Sequence, residues 1–153
     1  MLVVKVIDKD GLQRPESPMV IGDDFFGTEG DPVNLKERIE ACSMGKWKVK
    51  AGHFNHESKY DKKVNGDIVK GVMTVRISVS LSKDKYTIHN AVTKAVEDKL
   101  GTGLPGPYNH VMYVLQKCYN SCGWAAYAYI NSWMSVYQHD YYKKVGVQFH
   151  ELG

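Results

Sequence analysis

Runs of apolar and β-branched residues along the chain predict the strands of a sheet. Leu2–Asp8 and Val111–Leu115 are almost wholly apolar, which is typical of strands buried on both faces. Val72–Ser80 alternates apolar and polar residues, and Trp133–Tyr137 has a similar composition, so both are predicted strands. Lys46–Lys50 also alternates and predicts a strand with one face in solvent.

A first helix is predicted to begin near residue 31 and to end at Gly45. Asp31 precedes a proline and suits an N-cap, while Asn34 followed by Glu37 resembles a capping box, so two start signals overlap. The apolar side of this helix is formed by Leu35, Ile39 and Cys42. Cys42 is therefore expected to be buried as a small hydrophobic residue.

A second helix is predicted after Val72–Ser80, with Thr87 as its N-cap and Gly101 as its end. Its apolar stripe consists of Ile88, Ala91, Val92, Ala95, Val96 and Leu100. This spacing is typical of a helix that packs on a sheet. A loop rich in glycine and proline follows over Gly101–Tyr108.

Two long polar stretches are predicted to be loops. Residues 12–30 are rich in Pro, Gly and Asp, and within them Gly22–Gly27 is expected to form a turn or short helix that buries Phe25 or Phe26. Residues 51–70 contain two histidines three positions apart, which we interpret as surface residues because no acidic or cysteine neighbours stand at ligand spacing; they are His53 and His56. Strands and helices alternate, so the fold class is α/β or α+β with a mixed sheet.

Composition excludes several classes of protein. A chain of 153 residues fits one domain, and 43% hydrophobic with 24% charged residues is ordinary for a globular protein. The net charge of +3 gives no reason to expect a nucleic-acid partner. No apolar run is long enough for a membrane span or a signal-peptide core, so neither is expected in this chain.

Two of the three cysteines, Cys118 and Cys122, flank a three-residue spacer. This spacing is compatible with a small disulfide, with a metal clip, and with two free thiols in a loop. The stretch that follows, Gly123–Ile130, mixes small and aromatic residues. Small residues allow another backbone to approach closely, as on an edge strand that pairs with an extended peptide, although an ordinary half-buried strand has the same composition.

The last nine residues, Val145–Gly153, form a turn that leads into the start of a helix and contain the pair His150-Glu151. In the pattern H-E-x-x-H, two imidazoles lie on one helix face and hold zinc, and the glutamate acts on a zinc-bound water. The second histidine of that pattern would be residue 154, beyond the last residue of the sequence. A lone His-Glu pair also occurs by chance as solvated side chains.

Several unusual strings of the sequence resemble the gametolysin-type metallopeptidases. They occur in the same order as in that family, from the first strand to the last residue: Phe26–Leu35, Ala41–Ser43, Val111–Val114, Gly123–Trp133, Ser135–Tyr137 and Val145–Gly153. These enzymes are metzincins, with the zinc motif H-E-x-x-H-x-x-G-x-x-H. The resemblance implies a metzincin-like N-terminal subdomain, in which a mixed twisted sheet carries two packed helices and the start of the active-site helix.

The same resemblance implies roles for particular residues. His150 matches the first zinc-binding histidine, and Glu151 matches the general base that deprotonates the zinc-bound water. Gly123–Ile130 matches the edge strand along which substrate lies, which makes Gly123, Trp124, Ala125 and Ala126 the expected substrate-binding residues. The implied substrate is a protein or glycoprotein, such as one of a cell wall or matrix, and the implied location is extracellular.

A catalytic zinc needs three protein ligands, and this sequence offers one within the motif. Residues 1–153 are therefore expected to be a single, incomplete catalytic domain that neither binds stoichiometric zinc nor hydrolyses peptides alone. We also expect apolar surface to remain exposed on the side of the sheet that a full active-site helix would cover. The alternative is a non-catalytic peptide-binding or structural domain that keeps the peptidase fold.

Overall fold

The computed structural model describes residues 1–53, 68–117 and 123–152. Within these stretches, six strands form one mixed sheet: β1 Leu2–Ile7, β2 Ile68–Val69, β3 Val72–Arg76, β4 Val111–Leu115, β5 Ala126–Ala128 and β6 Met134–Gln138. Their order across the sheet is β2-β3-β1-β4-β6-β5. The four central strands are parallel, and the two outer strands run antiparallel to their neighbours. The predicted mixed sheet is confirmed.

Helices cover both faces of this sheet: α1 Pro18–Phe26, α2 Leu35–Cys42, α3 Lys85–Leu100, a 3₁₀ helix at His139–Lys143 and α4 Val145–Leu152. The long helix α3 packs on one face, while α1, α2 and α4 pack on the other. Successive strand residues point to opposite faces, so Leu2 and Val4 belong to the α3 side and Val3 to the other side. No helix in the described stretches combines the length and apolar character of a membrane span.

The helix α1 lies inside residues 12–30, so the prediction of a loop is wrong over Pro18–Phe26. Ser17 caps the helix with its hydroxyl, and Pro occupies the first helical position, where its missing N–H costs no hydrogen bond. Gly27 ends the helix with a left-handed φ of 64°. Both Phe25 and Phe26 are buried, in agreement with the short helix expected there.

Of the two start signals predicted for α2, the one at Asn34 and Glu37 is confirmed and the one at Asp31 is not, while the predicted start of α3 is wrong. Asn34, not Asp31, caps α2 by accepting the N–H three residues on at 2.9 Å. Asp84, not Thr87, caps α3 by accepting two first-turn N–H groups at 3.0 Å each. The predicted end of α3 at Gly101 is confirmed.

Two expectations in the segment after α2 are wrong. Lys46–Lys50 forms no strand, because the Val49 N–H is taken by the Glu40 side chain at 3.1 Å instead of by a neighbouring strand. Trp47 is 71% exposed as a result. Cys42 is also exposed, because α2 ends at this residue and the chain turns away from the core.

The sheet face beneath α4 is covered, so the expectation of exposed apolar surface on that face is wrong for the described residues. Val3, Met112 and Val114 point to this face, and each is completely buried. The unpredicted helix α1 contributes Phe25 to the cover. His53 is exposed, as expected for a surface histidine. The predictions for His56, Cys118 and Cys122 concern residues outside the described ranges.

Candidate active site

The helix α4 is held against the sheet by Gln148, which is completely buried. The Nε2 of Gln148 donates a hydrogen bond to the backbone oxygen of Tyr142. The backbone oxygen of Gln148 accepts a hydrogen bond from the Tyr137 hydroxyl at 3.3 Å, and Tyr137 is itself a buried residue of β6. These two bonds fix the inner side of α4 and leave His150 exposed on its outer side.

Glu151 faces the edge strand β5, against which α4 packs. Burial raises the pKa of Glu151, while the neighbouring His150 and the backbone N–H of Ala128 act in the opposite direction. The influence of the Ala128 N–H shows that the carboxylate lies beside β5. The two residues of the His-Glu pair therefore differ in environment, since the imidazole is in solvent and the carboxylate is partly enclosed.

The strand β5 presents backbone groups at an edge of the sheet. The Gln138 N–H donates to the Ala125 oxygen at 3.2 Å. Hydrogen-bonded and non-hydrogen-bonded pairs alternate along an antiparallel ladder, so Ala126 and Ala128 direct their N–H and C=O groups away from β6. For Ala128 that direction leads to Glu151. Within the described residues β5 has β6 as its one strand neighbour, which leaves its outer side open to another extended chain.

The four residues expected to bind substrate lie together at the beginning of this edge. Gly123, Trp124 and Ala125 line a surface groove of about 400 Å³, and Ala126 is the first residue of β5. The other described residues that line the groove are Lys117, Gln138, His139 and Tyr141. The structure thus brings the predicted base and the predicted substrate strand together, with Glu151 near one end of β5 and the groove near the other.

Tyr127, in the middle of β5, points to the face of the sheet that α3 covers, and other side chains surround it there. Its hydroxyl lies 3.0 Å from Nδ1 of His89, and its ring meets Trp124 edge to face with centroids 4.8 Å apart. Lys85 Nζ lies 5.1 Å from the centre of the Tyr127 ring. Burial, together with the charge of Lys85, lowers the pKa of His89 and favours the neutral imidazole. These contacts attach β5 to the start of α3.

Sequence patterns do not identify the residues that orient this site. Gln148 stands beside the His-Glu pair, yet nothing local indicates that it is buried and bonded to Tyr142. The pairing of His89 with Tyr127 joins positions 38 residues apart. Each of these contacts depends on how the elements pack, so it becomes visible only in the folded chain.

The described residues do not complete a catalytic zinc site. No group of three or more His, Cys, Asp or Glu side chains lies within metal-binding reach in residues 1–53, 68–117 and 123–152. His150 offers one imidazole, and a catalytic zinc takes three protein ligands.

Comparison with known protein families gives a match over most of the chain. The family model described as gametolysin peptidase M11 matches residues 9–153, which is nearly the whole chain. No curated protein and no solved structure matches the chain significantly.

Proposed function

Because the chain belongs to the gametolysin peptidase M11 family, we propose that its fold is that of a zinc-dependent metalloendopeptidase of the metzincin type. An extended segment of a protein substrate would lie along the outer edge of β5. The observation that carries this proposal is the position of Glu151 on α4, which packs against β5 and brings the carboxylate within the influence of the Ala128 N–H. A bound peptide and a proton acceptor would then be neighbours.

The residues of β5 would hold the substrate through its backbone. Ala126 directs its N–H and C=O groups outward and Ala128 its C=O group, and such groups pair with any extended peptide irrespective of its side chains. The small side chains at Ala125 and Ala126 leave room for close approach. Gly123 and Trp124 would contact the substrate further along, where they line the groove.

Glu151 would accept the proton of the water that attacks the peptide bond. Partial burial raises its pKa, and a carboxylate whose pKa is closer to neutrality is a better proton acceptor at neutral pH. Gln148 would position Glu151 indirectly, since it fixes the helix from which the carboxylate projects.

His150 would be one ligand of the zinc ion, and the remaining ligands would have to come from outside the described residues. A single imidazole holds zinc weakly and imposes no geometry. We therefore expect the 153-residue chain to contain far less than one zinc per molecule and to show no peptidase activity. By the same family resemblance, the substrate would be an extracellular or cell-wall protein and the location extracellular.

The test of catalysis requires a form of the protein in which further ligands are present. The transcript tests for such a form directly: codons that follow Gly153 in frame would have to supply two more histidines at the motif's spacing. In that form, Glu151→Gln should lower casein hydrolysis by about 10²–10⁴-fold while zinc content stays unchanged. The matched control is Glu37→Gln, at an exposed position on α2. Retained hydrolysis in Glu151→Gln would exclude this residue as the base.

A second candidate function is a non-catalytic peptide-binding domain with the same fold. The observation that favours it is the outer edge of β5, which has no strand neighbour among the described residues. A transcript that stops after Gly153, with peptide binding but no hydrolysis by the purified chain, would support this alternative.

A further inference from the structure

The groove at the start of β5 has a charge that the peptidase chemistry does not require. Lys117 lines it from the end of β4 and is exposed, and its Nζ forms no ion pair with any residue that the structure describes. Tyr141 lines it from the other side, and Lys144 Nζ lies 4.9 Å from the centre of the Tyr141 ring. No carboxylate of a described residue lines the groove.

The nearest carboxylate in sequence, Asp140, is engaged elsewhere. Its Oδ1 lies 2.6 Å from the Arg14 guanidinium and 3.3 Å from Lys143 Nζ. Its Oδ2 lies 3.2 Å from Nδ1 of His139. Because two cations already surround Asp140, it does little to offset the charge of Lys117, and the described residues that line the groove carry a positive charge.

The backbone at the groove is held in an unusual conformation. His139 follows β6 directly and has a φ of 52°, in the left-handed region that residues other than glycine seldom adopt. Such conformations persist where the surrounding structure enforces them, and they cluster at binding sites. Here the turn brings His139 to the groove that Trp124 also lines.

The groove and Glu151 lie near different residues of the β5 segment. Glu151 meets β5 at Ala128, and the groove meets the same chain at Ala125, three residues earlier. Three residues of extended chain span about 10 Å. A peptide paired with β5 would therefore bring to the groove a side chain about three residues from the bond nearest Glu151.

We propose that this groove is a specificity subsite for an Asp or Glu side chain of the bound peptide, with Lys117 as the residue that pairs with it. The proposal rests on the proposed binding of an extended peptide along β5. It adds a substrate class, namely polypeptides that carry an acidic residue near the cleaved bond. Trp124 and Tyr141 would enclose the aliphatic part of that side chain.

Binding of short peptides to the 153-residue chain tests this without any need for hydrolysis. Ten-residue peptides with blocked termini would carry one Asp or one Asn at each position in turn, and affinity would be measured by fluorescence anisotropy. We expect an Asp peptide to bind about 3–10-fold more tightly than its Asn counterpart at one position of the series, because a single charge pair in a partly open groove contributes modestly. The preference should shrink as salt rises from 50 to 500 mM.

Charge reversal provides the decisive comparison. Lys117→Glu should abolish the preference for Asp and create a preference for Lys at the same peptide position, whereas Lys83→Glu, at an exposed site near the start of α3, should change neither. Circular dichroism would verify that both variants fold. An Asp preference that survives Lys117→Glu would overturn the proposed subsite but not the proposed pairing of a peptide with β5. Absence of binding by every peptide would overturn both the subsite and peptide pairing along β5, whereas the role of Glu151 is tested separately by hydrolysis.

Discussion

Asp24 is a carboxyl group whose surroundings disfavour its charged form. It lies on α1, and its buried Oδ2 has no hydrogen-bond partner among the described residues. Burial raises the pKa of Asp24 to about 6, with Lys143 opposing the shift and Asp31 reinforcing it. The folded chain therefore binds this proton more tightly than the unfolded chain does. Stability should consequently fall as pH rises from about 4 to about 6 and then level off.

Replacing this carboxyl group by an amide should remove the loss of stability that comes from ionising a buried carboxyl group. We expect Asp24→Asn to increase the free energy of unfolding by roughly 1–2 kcal/mol at pH 7 and to change it little at pH 4, where the wild-type group is already protonated. Urea denaturation at the two pH values measures the difference. Asp98→Asn is the matched control, since Asp98 is an exposed residue of α3 paired with Lys94 and should show no comparable pH-dependent gain.

The start of α2 depends on one side chain. Asn34 is buried, its Oδ1 accepts the Glu37 N–H at 2.9 Å, and its Nδ2 donates to the Asp31 oxygen. Asn34→Ala removes both bonds and should lower the free energy of unfolding by about 1–2 kcal/mol. Asn90→Ala, at an exposed position within α3, is the control and should be neutral or slightly stabilising because Ala favours helix. Equal losses in the two variants would contradict the assigned cap.

The hydrogen bond that attaches α4 to β6 can be tested by removing one hydroxyl group. Tyr137→Phe keeps the buried ring and removes the hydrogen bond to the Gln148 oxygen. We expect the free energy of unfolding to fall by about 1 kcal/mol. The loss should affect α4 before the rest of the fold, because that helix is short and lies at the end of the sheet. Hydrogen exchange should show faster amide exchange in Val145–Leu152, while β1 and β4 stay protected. Uniform acceleration across the whole sheet would mean that the bond does not act on α4 locally.

Sequence patterns correctly predict those elements whose apolar positions are determined by burial in the core. Leu2–Ile7 and Val111–Leu115 are buried on both faces, and their almost wholly apolar character follows from that position. The helix α1 is missed because its glycine and aspartates resemble a loop. Its Gly22 is required by a distant neighbour, since a Cβ at this position would lie 2.6 Å from the Lys70 oxygen. No local pattern carries that information.

The candidate site likewise combines residues that sequence patterns predict with contacts that these patterns do not predict. A short motif predicts His150 and Glu151 as site residues and composition predicts the small residues before β5, and both assignments stay predictions. The contact between Glu151 and Ala128 joins residues 23 positions apart, so it requires the folded chain. The positive groove likewise needs Lys117 from the end of β4 and Tyr141 from the 3₁₀ helix to meet.

A network of charges around Arg14 joins three distant parts of the molecule. Arg14 is 5% exposed and donates to Glu16 just before α1, to Gln116 after β4 at 2.9 Å, and to Asp140 in the 3₁₀ helix at 2.6 Å. Lys143 Nζ lies 2.6 Å from Glu16, which adds a second bond to the same helix. Since this helix leads directly into α4, the network connects the overall stability of the fold with the position of the candidate site.

Glu16 makes this network sensitive to acid. Burial alone would raise the pKa of Glu16, but hydrogen bonds from Lys143 and Arg14 outweigh it and lower the pKa from 4.5 to about 2. A depressed carboxyl pKa means that the unfolded chain takes up the proton first. The stabilisation should therefore be complete above pH 4.5 and should be lost as pH falls towards 2.

Glu16→Gln should isolate this contribution. At pH 7 we expect the variant to unfold with a free energy lower by roughly 1–3 kcal/mol, a range reduced for partial solvent screening. The gap should narrow steadily below pH 4.5, because the wild-type carboxylate is then progressively protonated. Lys94→Ala, which breaks an ion pair whose side chains are 75% and 66% exposed, should have almost no effect at any pH. A constant gap between wild type and Glu16→Gln from pH 7 to pH 2 would mean that the loss comes from packing, since a packing defect does not titrate and a broken charge network does.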